Sequence, residues 1–164
     1  MELEPPPSVR SLFVRAGWYP HRCKELDEAV DPRHPAAAVL AAFGGLEVRP
    51  DGVTGRTCAP SAVHFVRLFP TKRASDWSRL LKTELVGIAE LADGHASLYL
   101  ADDGRVFGMS DIHDACYFEG ETFALAIEHV LLGKRAQPML HPAQREVILY
   151  GVVYRRGDPA LYPW

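Results

Sequence analysis

The sequence predicts an α+β domain organised around one antiparallel hairpin, and three observations point to it. Ala96, Leu98 and Leu100 recur at every second position, the period of a half-buried strand, and Asp103-Gly104 then leads into Arg105–Met109 as the returning strand. Shorter apolar or β-branched runs precede the hairpin at Leu46–Pro50, Ala62–Phe69 and Leu85–Ala89. Helix-spaced apolar residues bounded by glycine or proline lie on either side, at 8–16, 36–43 and 123–131. With 164 residues, 48% of them hydrophobic, the chain is sized for a single domain over 1–164 with a substantial core.

Taken in order, Met1–Pro7 is an acidic, proline-rich leader. Ser8 can cap a short helix that places Val9, Leu12, Phe13 and Ala16 on one face and stops at Gly17. Trp18-Tyr19-Pro20 makes a bulky corner, and residues 22–30 suit either a short helix or an extended segment. Pro35 is placed as the first residue of a helix over Ala36–Phe43, which Gly44-Gly45 ends. The strand Leu46–Pro50 closes at Asp51-Gly52, residues 53–61 form a loop, and Pro70 bounds the strand Ala62–Phe69. Ser75 or Asp76 can cap a helix carrying Trp77, Leu80 and Leu81. The strand Leu85–Ala89 turns at Asp93-Gly94 into the central hairpin, whose Asp103-Gly104 fits a two-residue turn with positive φ at both central positions.

After the hairpin, Ala115–Phe118 is one more strand. Gly120 opens a helix in which Phe123, Ile127, Val130 and Leu131 share a face and Gly133 is the stop. Pro138 and Pro142 flank a loop, and Val147–Tyr154 forms a single strong strand. An aromatic tail from Asp158 to Trp164 follows.

Charge is distributed unevenly. Between Glu84 and Glu128 ten carboxylates stand against one base, Arg105, a local net of −9, while residues 1–83 and 134–164 are each +3. That sign excludes a nucleic-acid-binding surface and favours a cationic protein partner. No apolar run approaches the length of a bilayer span, and the acidic leader is unlike a secretory signal, so a soluble cytoplasmic protein is expected.

A search for catalytic chemistry returns little. Cys23, Cys58 and Cys116 have no Cys-x-x-Cys spacing, and seven histidines sit on different elements without a zinc motif, so neither a metal nor another cofactor is expected. Asp111-Ile112-His113-Asp114 is the densest polar cluster and suits a solvated turn. There is no nucleophile elbow, phosphate loop or dinucleotide fingerprint. A cysteine nucleophile would have to draw on Cys58 or Cys116 with a distant histidine. A binding module, not an enzyme, is the reading these residues support.

Five stretches resemble one family in the right order. Ala16–Arg22 (Ala-Gly-Trp-Tyr-Pro-His-Arg) is similar to the opening of the third SUKH subfamily, and His34–Leu46, ending in Phe43-Gly44-Gly45-Leu46, to its first long helix and stop. Leu85–Ala89 stands where that family has an apolar strand, with Val86 and Ala89 in place of its usual proline and glycine. Leu98–Phe107 resembles its hairpin, with Phe107 for tyrosine, and Phe118–Gly133 its closing helix. The resemblance spans about residues 11–133.

The resemblance implies an α+β fold with a mixed, largely antiparallel sheet flanked by helices and a core over 8–133. Residues 134–164, whose one strand is read from the Val147–Tyr154 run alone, are a C-terminal extension in which Gln137–Trp164 has no counterpart in the family. The resemblance also implies an immunity protein that neutralises a cognate polymorphic toxin, often a nuclease or nucleic-acid deaminase, and it brings no catalytic residues. On this reading Asp102, Asp103, Asp111, Asp114, Glu119 and Glu121 present an acidic face to a basic toxin domain. The alternative is a non-catalytic scaffold of the same fold, docking through Val147–Tyr154.

Overall fold

The computed structural model describes residues 3–26 and 29–164. A single 3₁₀ turn, Pro7–Val9, leads into helix α1 (Arg10–Arg15), which buries Leu12 and Phe13 and gives way to Gly17 at φ 98°. Helix α2 (Pro35–Phe43) starts on proline as expected, with the His34 ring accepting the Ala36 N–H at 3.1 Å. Strands β1 (Glu47–Val48) and β2 (Val63–Leu68), helix α3 (Lys72–Leu81) and strands β3 (Leu85–Leu91), β4 (Ala96–Ala101), β5 (Val106–Ser110) and β6 (Ala115–Gly120) follow. Helix α4 (Phe123–Leu132), β7 (Gln137–Met139) and the β8 (Glu146–Leu149)–β9 (Val152–Arg155) ribbon complete the chain.

Strands β1 to β7 form one sheet in chain order, and all six pairings are antiparallel, so it is more uniform than a mixed sheet. Both faces of its middle strands are covered. Along β4, Leu98 and Leu100 enter a core shared with α1, α2 and α4, while Tyr99 and Ala101 enter a second core beneath α3. Four phenylalanines, Phe13, Phe43, Phe65 and Phe123, interlock in the first core, with the Phe43 and Phe123 rings stacked at 5.5 Å. A third cluster joins Ala115 and Tyr117 of β6 to Val147, Leu149 and Tyr154 of the ribbon.

Several local expectations give way to tertiary context. The hairpin turn is three residues, not two: Gly104 N–H donates to Ala101 O (3.0 Å), Ala101 N–H to Arg105 O (2.9 Å), and of Asp103 and Gly104 only Gly104 has positive φ. The Asp103 carboxylate accepts the Arg105 N–H at 3.1 Å and holds Asp103 in the common turn conformation. Helix α3 begins earlier than Ser75 or Asp76 suggested, capped by the Thr71 hydroxyl on Ala74 N–H (3.1 Å). Gly120 ends β6, and Thr122 caps α4 by accepting from Leu125 N–H (3.3 Å).

The C-terminal extension departs most. Pro138 lies within β7, which pairs with β6 at the sheet edge, where its missing N–H is tolerated. The strand expected over Val147–Tyr154 is a two-stranded ribbon, because Tyr150 (φ 54°) and Gly151 (φ 72°) reverse the chain in its middle. The extension therefore holds three strands where one was expected. Its aromatic tail packs on the second core, with Tyr162 stacked on Phe118 at 4.0 Å and Trp164 edge-on to Trp77 at 5.1 Å.

Candidate protein-binding face and the Glu119 cleft

The six carboxylates singled out from sequence do not form one surface. Asp102 and Asp103 are exposed on the β4–β5 turn, and Glu121 is exposed just past Gly120, which pairs with Val106 at the same end of the sheet. Asp111 and Asp114 are exposed on the β5–β6 turn at the other end. At about 3.3 Å per residue, the five residues of β5 hold the two groups roughly 15 Å apart. Glu119 belongs to neither, being only 4% exposed. It is thus a buried carboxyl and not part of an exposed acidic face, because the alternation of β6 points it inward beside Tyr117 and beneath the end of α4.

Most exposed members have internal partners. Arg105 pairs with Asp103 at 2.7 Å and donates to the Tyr162 hydroxyl at 3.2 Å, and its guanidinium holds the Asp103 carboxyl below the usual carboxylate range. The Thr83 hydroxyl donates to Asp102. Arg73, at the start of α3, lies 3.2 Å from Asp111 and 3.5 Å from Asp114 and donates to Ser110 O at 2.7 Å. Such exposed pairs stabilise by about 0–1 kcal/mol each and are screened by salt.

Glu119 lines a cleft of about 310 Å³ built by elements distant in sequence. The 53–61 loop is anchored to the end of α4: Arg56 N–H donates to Leu132 O, Thr57 and Cys58 N–H to Gly133 O, and Ser61 N–H to Val130 O, at 2.8–3.0 Å. This satisfies carbonyls that a helix end otherwise leaves open. The approach needs Gly133, since a Cβ there would stand 2.2 Å from Cys58 O at a backbone φ of 67°. On the sheet side, the Tyr117 ring lies over Gly108, where a Cβ would come within 2.0 Å of the ring. His129 of α4 uses Nδ1 to contact Glu119 O at 2.8 Å, and the Tyr150 hydroxyl accepts the Ala136 N–H at 2.8 Å.

The carboxyl itself has no side-chain hydrogen bond or ion pair among the described residues, and burial pushes its titration up to about 8 from 4.5. Burial likewise raises Cys58, Tyr117 and Tyr150 above their ordinary values. Sequence reasoning grouped Glu119 with surface acids and left His129, Tyr150 and Cys58 unconnected, since no local pattern joins positions so far apart.

A family model describing the SUKH-3 immunity proteins matches residues 5–133. The chain belongs to that family. No curated protein and no solved structure matches it significantly. The part matched to the SUKH-3 proteins takes in α1–α4 and β1–β6, while β7–β9 and the aromatic tail lie beyond it. In this SUKH-3 chain no group of three or more His, Cys, Asp or Glu side chains among the described residues is placed to hold a metal, and none of the described helices is long and apolar enough to cross a membrane. Cys116 is buried beneath α3 with its thiol pushed well above the ordinary value, the opposite of an activated nucleophile.

Proposed function

We propose that this SUKH-3 protein binds a cognate bacterial polymorphic toxin, a nuclease or nucleic-acid deaminase, and neutralises it through exposed carboxylates at the ends of its sheet. The family match over residues 5–133 carries this reading. The nine carboxylates other than the buried, protonated Glu119 between Glu84 and Glu128, against the single base Arg105, supply the physical rationale. A toxin that acts on nucleic acid has a cationic substrate cleft, and complementary charge steers and orients its inhibitor. Asp102, Asp103 and Glu121 at one end and Asp111 and Asp114 at the other are the residues proposed for contact, with no nucleic acid, metal or cofactor required. The protein acts in the cytoplasm, where such a toxin would find nucleic acid.

The test is rescue of toxin-expressing cells, with recovery of a complex, using the toxin domain encoded beside this gene. Survival with a stable, salt-sensitive complex supports the reading. A complex indifferent to salt and to reversal of the five exposed acids removes the acidic face from it. Death without a complex, with folded toxin, removes the immunity role.

A second reading, a scaffold unrelated to toxins, draws on one observation. Ile148 and Val153 are cross-strand partners on the outer side of the β8–β9 ribbon, 43% and 39% exposed. Retention of an unrelated partner that is lost on Ile148→Ser would favour it.

A further inference from the structure

Among the described residues, the acidic block contains one buried carboxyl that makes no side-chain hydrogen bond or ion pair. Asp103 has Arg105, and Asp111 and Asp114 share Arg73. Glu119, the most buried of them at 4% exposure, has no cation bonded to it among the described residues. It opens on a cleft of about 310 Å³, a volume typical of a small binding site. A carboxyl largely removed from water without a counter-ion is costly to ionise, and such groups concentrate at functional sites.

The surroundings narrow what can complete it. His129 and Lys134 face the cleft from the end of α4, Cys58 from the 53–61 loop, and His95 and His113 from the β3–β4 and β5–β6 turns. Tyr117 and Tyr150 line it from β6 and from the β8–β9 turn. Neither Lys134 nor any of the three imidazoles makes an ion pair with Glu119, and no metal-holding group forms there. A carboxyl with two tyrosine side chains in the surrounding wall matches a guanidinium, which pairs bidentately with carboxylate and lies well against aromatic rings. The chain's own Arg135 guanidinium already lies 5.3 Å from the Tyr150 ring centroid, and Arg135 makes no ion pair with Glu119.

We propose that the Glu119 cleft receives one arginine side chain of the partner, with Glu119 as its carboxylate counter-ion and Tyr117 and Tyr150 as its walls. That the arginine comes from the toxin rests on the immunity reading. Because Glu119 holds a proton up to about pH 8, seating the guanidinium releases that proton to solvent below this pH. Arginine binding therefore strengthens as pH rises toward 8, by up to about tenfold per pH unit.

The experiment titrates the free protein with N-acetyl-arginine amide, with the uncharged isostere N-acetyl-citrulline amide as control, following the Glu119 carboxyl carbon by NMR. The arginine amide is expected to lower the Glu119 midpoint and bind more tightly at pH 7.5 than at 6 (both chosen below the midpoint of about 8), whereas the citrulline amide does neither. Glu119→Gln, whose folding is checked by urea denaturation and whose binding is followed, as for the wild type, on the backbone amides of the cleft-lining Tyr117 and Tyr150, is expected to abolish the shift of those amides on adding the arginine amide. An unmoved midpoint, or an equal response to both amides or in Glu119→Gln, overturns the proposal. With the toxin domain, calorimetry in two buffers of different ionisation enthalpy reads the released proton. A complex equally tight with Glu119→Gln and without proton release overturns the cleft assignment and leaves immunity standing. Failure of any complex overturns immunity instead, and the arginine-amide titration still decides the cleft.

Discussion

Replacing Glu119 with glutamine tests the buried carboxyl most directly, and its effect on stability has a definite sign. The folded chain keeps the Glu119 proton up to about pH 8, whereas the unfolded chain releases it near 4.5. Between those values the folded state binds one more proton, so raising pH favours unfolding. The contribution is fully present below 4.5 and is lost by about 8. One proton corresponds to about 1.4 kcal/mol per pH unit, on the order of 5 kcal/mol across the whole window. Glutamine has the shape and neutrality of the protonated acid and does not titrate. The variant should therefore match the wild type near pH 4.5 and exceed it by about 3 kcal/mol at neutral pH, roughly 6–12 °C in Tm for a domain of this size. Urea denaturation followed by tryptophan fluorescence at several pH values measures it, and the difference between the two proteins cancels the contributions they share. Parallel stability curves, or a variant less stable at high pH, would refute the reasoning. Greater stability combined with lost arginine binding is the signature of a group retained for function.

Three further outcomes follow from the packing. Removing residues 158–164 uncovers Phe118 and Trp77, which Tyr162 and Trp164 contact at 4.0 and 5.1 Å, and should cost about 2–4 kcal/mol by urea denaturation. Gly108→Ala places a methyl 2.0 Å from the Tyr117 ring; displacement of that ring should cost about 2 kcal/mol or more and change the near-ultraviolet circular dichroism of the cleft. Reversing Asp102, Asp103 and Glu121 to lysine should cost about 1–3 kcal/mol of stability, since it removes the Thr83 and Arg105 contacts of Asp102 and Asp103. It should also weaken the toxin complex at least tenfold, chiefly in its association rate at low salt, while the variant stays folded by urea denaturation.

Sequence by itself determined the elements whose signals are local. Pro35 and Gly44 bound α2, Gly133 ends α4 in a left-handed conformation, and apolar alternation through Leu98 and Leu100 lays down the central hairpin. Each depends on steric preferences within a few residues, so each could be read without knowing what packs on it. Caps at Thr71 and Thr122 were less legible, because neighbouring Ser75, Asp76 and Gly120 carry competing signals of the same kind. The chain reversal at Tyr150-Gly151 was illegible: tyrosine seldom takes positive φ, and here its ring packs near the third core while its hydroxyl takes the Ala136 N–H. Pro138 entered a strand because that strand is an edge, a property of the sheet and not of the proline. The fate of Glu119 was decided furthest from its own sequence. Asp103 and Glu119 are both carboxylates in the same acidic stretch, and only the folding of α4, the 53–61 loop and the β8–β9 ribbon over β6 buries one to 4% exposure at the wall of a cleft and leaves the other in solvent. Burial is a property of what arrives from elsewhere in the chain, and charge counted along the sequence carries no record of it.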